Sequence, residues 1–325
     1  MKTKYFGIVI YENCTPSMVA GVIDILTLAN NLFKASNDNE LFKLNTISVS
    51  GSPVNGFSHF PIYASQAIKS KTKYDILYIP GFIGDIDDIL NENRLLIKWI
   101  TRQGLKNKTI LSAACNGNFL LAETGLLDKK KATTHWSLTN KFRERFEHTE
   151  LRPEKIIVDE GNIISAAGVT SYFNLALHII QRFGSTDLAL NCAKVFLVDS
   201  GRKIQTPYQA YQLPKNHGDA EINKIQNWLE SNFKETVNLD RLTKIGNIGK
   251  KTLLRRFKKA TGETPLIYLQ KLRIENAKRL LESKNLSFSE ITWEVGYSDV
   301  SSFHRAFKAE TGLTPVAYRT KFSLI

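Results

Sequence analysis

A twelve-residue stretch near the C-terminus occurs twice: Phe257-Lys-Lys-Ala-Thr-Gly-Glu-Thr-Pro-Leu-Ile-Tyr268 returns fifty residues later as Phe307-Lys-Ala-Glu-Thr-Gly-Leu-Thr-Pro-Val-Ala-Tyr318. The register extends upstream, where Gly246, Leu253 and Arg255 align with Gly296, Phe303 and Arg305. Repetition at a fixed offset implies two copies of one supersecondary unit. In each copy an apolar pair at helical spacing, Leu242 and Ile245 or Ile291 and Val295, marks a short first helix. Gly246-Asn247 and Gly296-Tyr297 are predicted to supply the turn, because glycine accepts the positive φ at which helices end. Leu253 and Phe257, or Phe303 and Phe307, then give a second helix its buried face. Thr264-Pro265 and Thr314-Pro315 each read as an N-cap followed by proline at the first helical position. Helix, tight turn, helix is the helix-turn-helix arrangement, whose second helix can enter a DNA major groove.

Between the copies, Pro265 to about Ser283 is predicted to be one helix, roughly 28 Å long at 1.5 Å per residue. Major-groove faces on one side of B-DNA recur about every 34 Å, so this helix can hold both reading helices against adjacent turns. Thirteen basic residues face three acidic ones between Arg241 and Lys284, whereas Asn285 to Ile325 is neutral, with four of each sign. Phosphate attraction is therefore expected mainly from the first copy. The outward positions predicted to meet DNA are Lys250, Lys251, Thr252, Leu254 and Arg255 in the first copy, and Val300, Ser301, His304 and Arg305 in the second. The net charge of the chain, +13, suits a polyanionic partner.

Upstream, short apolar runs such as Phe6–Tyr11, Tyr74–Pro80 and Thr109–Ala113 alternate with helix-like segments such as Met18–Phe33 and Tyr172–Phe183. That pattern predicts an α/β domain with a parallel sheet covered on both faces. Its 325 residues are expected to divide into an α/β domain over 1–198, a polar linker over 199–218 and an all-α domain over 219–325. Three scattered cysteines make neither a disulfide framework nor a metal site, and no phosphate-binding loop or eighteen-residue apolar run occurs. The expectation is a cytoplasmic protein with no cofactor, no metal and no membrane contact. One segment stands out chemically. Thr109-Ile-Leu-Ser-Ala-Ala-Cys-Asn-Gly117 passes from a strand straight into a helix, placing Cys115 on a sharp elbow, the way a nucleophilic cysteine is presented. A packed or pocket-lining thiol is the other reading of the same elbow.

Leu253-Leu-Arg-Arg-Phe-Lys258, Thr261-Gly-Glu-Thr-Pro265, Val295-Gly-Tyr-Ser-Asp299, Phe303-His-Arg-Ala-Phe-Lys308 and Thr311-Gly-Leu-Thr-Pro-Val-Ala-Tyr-Arg319 resemble the double helix-turn-helix domain of AraC-type transcriptional regulators. Gly249 departs from that family's usual serine cap, and Thr243 and Thr292 from its usual alanine. Ser112–Leu127, Ala132-Thr-Thr-His-Trp136, Ser165–Thr170 and Asn174–His178 resemble the PfpI and class I glutamine amidotransferase-like domain found in GlxA-type regulators, which is flavodoxin-like. Enzymes of that superfamily pair the elbow cysteine with a following histidine and a carboxylate near the first helix, but Asn116 and Met18 stand at those positions here. The resemblance implies a DNA-binding activator controlled by a small-molecule effector, of the kind of an amino acid or quaternary amine. The effector is expected in a pocket at Cys115, Asn116, His135 and Trp136, with no catalytic residues. It further implies a homodimer, with RNA polymerase as a further candidate partner. The alternative is a cysteine-dependent hydrolase or amidase fused to a DNA-binding domain.

Overall fold

The computed structural model describes residues 2–35, 39–106, 108–211 and 213–323. The chain forms two compact units, Met1–Gln205 and Thr206–Ile325.

The first unit begins β1 (Lys4–Val9), α1 (Pro16–Lys34), β2 (Phe42–Ser48), the hairpin of β3 (Val54–Gly56) and β4 (Phe60–Ile62), β5 (Gln66–Ala67) and β6 (Ile76–Ile79). It continues with α2 (Ile86–Glu92), α3 (Arg94–Lys106), β7 (Ile110–Ala114), α4 (Gly117–Ala122), β8 (Lys131–Ala132), α5 (Thr139–Arg145) and β9 (Glu150–Leu151). Last come β10 (Ile157–Asp159), β11 (Ile163–Ala166), α6 (Ser171–Phe183) and α7 (Thr186–Val195). Seven strands form one sheet in the order β10-β11-β7-β6-β1-β2-β5. The central strands β6 and β11 are buried at every position, which only a sheet with both faces covered allows. Helices α1, α6 and α7 pack on one another, and α2 and α3 pack on α4. Helix α1 is long and apolar enough to cross a membrane by composition alone, but Met18, Val19, Val22, Ile25 and Leu26, which make it so, are core residues.

Two expectations need correction here. The sheet is not wholly parallel, because β10 pairs antiparallel with β11 at the edge. A three-residue edge strand carries too little pattern to reveal its direction. The 199–218 segment is also not all linker. Ile156 N–H donates to Lys203 O at 3.0 Å and Gln205 N–H to Glu154 O at 2.9 Å, so residues 199–205 are strapped to the first unit. From Thr206 the chain belongs to the second unit, where the Tyr211 hydroxyl donates to Glu263 at 3.1 Å; Gln212 lies outside the described residues. Polar composition conceals this anchoring because backbone groups and the buried Gln205 amide make it.

The second unit is helical: α8 (Ala220–Asn232), α9 (Leu239–Gly246), α10 (Lys250–Thr261), α11 (Pro265–Ser283), α12 (Phe288–Glu294), α13 (Val300–Thr311) and α14 (Pro315–Phe322). It has two apolar cores. Leu242, Leu253, Phe257 and Tyr268 join Ile222, Ile225 and Leu229 of α8 in one, while Ile291, Val295, Phe303, Phe307 and Tyr318 make the other. Helix α11 gives Leu269 and Leu272 to the first core and Ile274, Ala277 and Leu281 to the second. The repeat extends to ring geometry, with Phe257 edge-on to Tyr268 at 5.4 Å and Phe307 edge-on to Tyr318 at 5.3 Å. The turns differ between copies. In the first, Asn247 takes the left-handed conformation (φ 48°) and Gly246 ends the helix; in the second, Gly296 itself is left-handed (φ 82°). Gly246 answers a different need, since a Cβ there would stand 2.6 Å from Ile225 Cδ1.

Candidate nucleic-acid interface and elbow site

Helices α10 and α13 begin differently. Gly249 caps α10 without a side-chain hydrogen bond, whereas Asp299 accepts from Ser302 N–H at 2.8 Å and secures the start of α13. Beyond the caps they expose the same face. Lys251, Arg255, Lys258 and Lys259 are exposed on α10, and Ser301, Arg305, Lys308 and Ala309 on α13, each set fifty residues from the other. Among the residues expected to meet DNA, Lys250, Lys251, Arg255, Ser301 and Arg305 stand exposed, while Thr252, Leu254, Val300 and His304 are half-buried. His304 is turned against its own unit: its ring meets Phe288 of α12 edge-on at 6.1 Å, and its Nε2 is buried. Lys258, Lys259 and Lys308 join the exposed face one turn further on; their spacing of seven or eight from Lys251 and Ser301 was the available signal.

The basic count of the first copy overstates what faces outward. Arg256 is bound to Asp219 and Glu221 at the start of α8, Lys271 to Glu263, Lys278 to Glu275, Arg241 to Glu235, and Arg273 to the carbonyls of Phe233 and Glu235. Those five cations are engaged by acceptors of their own unit. Among the described residues Lys251, Arg255, Lys258 and Lys259 have no such partner and keep their charge for an external anion.

The elbow forms as the sequence predicts. Cys115 follows β7 with φ 58°, and Gly117 opens α4; a Cβ at Gly117 would meet Pro80 O at 2.4 Å and Ile79 O at 2.8 Å. Only glycine lets this turn seat against the end of β6. Loops at the C-terminal ends of the strands are laced together around it. Cys115 N–H donates to Ala166 O at 3.0 Å, Thr134 Oγ1 to Cys115 O at 3.0 Å, and Thr15 N–H to Gly81 O at 2.8 Å. Asn116, expected to face a ligand, is already occupied. Its Oδ1 accepts from Phe82 N–H at 2.9 Å and its Nδ2 donates to Phe82 O at 2.8 Å, which fixes the loop after β6.

The environment of the thiol opposes ionisation. Cys115 is 8% exposed, and burial pushes its pKa up to about 11. At neutral pH the protonated thiol therefore dominates. Met18, fully buried at the start of α1, lies where a carboxylate would be needed: a Cβ at Gly81 would stand 3.1 Å from Met18 Sδ and 3.2 Å from Cys115 Cβ. His135 follows Thr134 but bonds locally, its Nδ1 2.7 Å from Ser137 Oγ, with its ring 5.2 Å from that of Trp136. Burial lowers the pKa of His135, favouring the neutral ring. Sequence reasoning missed Tyr78 on β6. Its hydroxyl is buried without a partner among the described residues, and Cys115, Tyr172 and Cys14 are its ionisable neighbours. In a Cys14→Ser, Cys192→Ser background, alkylation of Cys115 by iodoacetamide should rise about tenfold per pH unit through pH 9 and level off only near pH 11. A plateau near pH 8.5 would mean an accessible, activated thiol.

A helix-turn-helix domain family matches residues 242–321, and the DJ-1/PfpI family matches residues 24–182. The HTH-type transcriptional regulator GbdR of Pseudomonas aeruginosa is 24% identical over 95% of this chain and 82% of its own length. GlxA of Rhizobium meliloti, also an HTH-type transcriptional regulator, is 26% identical over 69% of this chain and 68% of its own. In fold, DJ-1beta of Drosophila melanogaster superposes with a TM-score of 0.52 over 61% of this chain and all of its own, at 18% identity. With a DJ-1/PfpI domain ahead of two helix-turn-helix units, the chain belongs to the AraC family of DNA-binding transcriptional regulators.

Proposed function

We propose that the first unit binds a small metabolite at the elbow and that this binding controls occupancy of an operator by α10 and α13. The observation that carries the sensing half is the buried Tyr78 hydroxyl beside Cys115, unpaired among the described residues. An unmade hydrogen bond of this kind costs about 1–3 kcal/mol, which a ligand that accepts it recovers. Cys115, His135 and Trp136 serve as walls of that pocket, with Asn116 holding the loop beside them. Met18, which flanks Gly81 together with Cys115, and a thiol held neutral by burial favour a non-catalytic pocket over a hydrolase. The regulator acts as a homodimeric activator in the cytoplasm, with RNA polymerase as the partner it recruits. To change occupancy tenfold, the effector must favour one arrangement over the other by about 1.4 kcal/mol.

Selection of bound duplexes from a random pool by the full chain tests the DNA half. The expected outcome is a motif with two elements about ten base pairs apart. Repeating the measurement with amino acids and quaternary amines tests the sensing half. Operator affinity that no metabolite changes, in wild type and Tyr78→Phe alike, would remove it.

A further inference from the structure

Away from the elbow, the first unit has a groove of about 410 Å³ between β10, α6, α7 and the strap over residues 200–203. That volume is within the range of small-metabolite sites. Its apolar wall includes Ile157 and Leu177 together with Leu190, which is 42% exposed. Its charged lining is of one sign: Lys155, Arg202 and Lys203 contribute to it, and no carboxylate does among the described residues. Asp159, the acid at the end of β10, is taken up by His178 at 2.7 Å and Arg182 at 3.3 Å. Lys155 and Lys203 have no ion-pair partner among the described residues. Arg202 is steered into place by Asn174 Oδ1, which accepts from it at 2.6 Å, and by Thr170 Oγ1 at 3.0 Å.

We propose that this groove binds a small amphiphilic monocarboxylate, its apolar body on Leu177 and Leu190 and its carboxylate between Lys155 and Lys203. An ammonium-bearing effector finds no counter-charge there, so this site is chemically distinct from the elbow. One wall is the strap by which the chain leaves the first unit. A ligand bridging that wall to α6 and α7 therefore braces residues 199–205 and gives the protein a second input. The regulatory consequence rests on the regulator reading above, but the binding does not.

The test is titration calorimetry of the full chain with hexanoate, with its uncharged twin hexanamide as the control, supported by hydrogen exchange over residues 199–205. The expected result is one hexanoate site, hexanamide at least about tenfold weaker, and slower exchange in the strap. The Lys155→Glu, Lys203→Glu double variant, altered at exposed positions, should lose hexanoate binding at unchanged thermal stability; Lys155→Gln, Lys203→Gln should weaken it about tenfold or more. Equal affinity for the two probes, no binding at millimolar hexanoate, or binding indifferent to these variants would overturn the proposal. Failure of the wild type to select any DNA motif would instead strike the regulator reading and leave the hexanoate result standing.

Discussion

Alanine at Lys251, Arg255, Lys258 and Lys259 together should weaken binding to duplex DNA of any sequence and flatten its salt dependence. The log–log slope falls by about 0.9 for each phosphate contact removed, so by ~3.6 if all four meet the backbone. The reason lies in which charges the fold leaves outside. Arg256, Lys271, Arg273 and Lys278 are held by carboxylates and carbonyls of their own unit, so the exposed face of α10 is the main cationic surface of the first repeat. The corresponding face of α13, Ser301, Arg305, Lys308 and Ala309, carries half as many cations. Arg305→Ala should accordingly cost roughly 1–3 kcal/mol on the selected site and little on random DNA, because a base contact discriminates and a phosphate contact does not. Binding isotherms at several salt concentrations, on the selected duplex and on a scrambled one, separate the two. A quadruple variant with an unchanged slope would move α10 off the DNA backbone.

What was legible in the sequence was what repeats or what is local. The fifty-residue offset located both reading helices, and the observed exposure follows it position for position from Lys251 to Ala260 and from Ser301 to Glu310. The elbow was legible because a strand running into a glycine-led helix leaves Cys115 little choice of conformation. What stayed hidden depends on partners distant in sequence. Arg256 counts toward the basic charge of the first repeat until Asp219 and Glu221, more than thirty residues earlier, are seen to hold it. Asn116 looks like a ligand contact until Phe82 takes both ends of its amide. His304 lies on a helix whose period alone does not say how far Phe288 reaches around its flank. Tyr78 lies in a fully apolar strand, where nothing in the spelling marks one hydroxyl as unpaired.

Phe257→Ala and Phe307→Ala should each cost about 3–5 kcal/mol, because both rings are fully buried and their removal leaves a cavity beside Tyr268 or Tyr318. Their consequences should differ in place. The two cores share no buried residue among those described, and α11 is the element that feeds both, changing allegiance between Leu272 and Ile274. A loss in one core therefore falls first on the helices that close it. Native-state hydrogen exchange should show lost protection in α8, α9 and α10 for Phe257→Ala, and in α12, α13 and α14 for Phe307→Ala. The DNA phenotypes should divide in the same way. Phe257→Ala disorders the cationic helix and lowers affinity for all sequences, whereas Phe307→Ala leaves the cations of α10 in place, keeping most of the salt slope and losing preference for the selected site. Protection lost equally across both halves in either variant would mean that α11 transmits unfolding through the whole unit. In that case the two reading helices would be presented to DNA as a single rigid body, and neither could be released without the other.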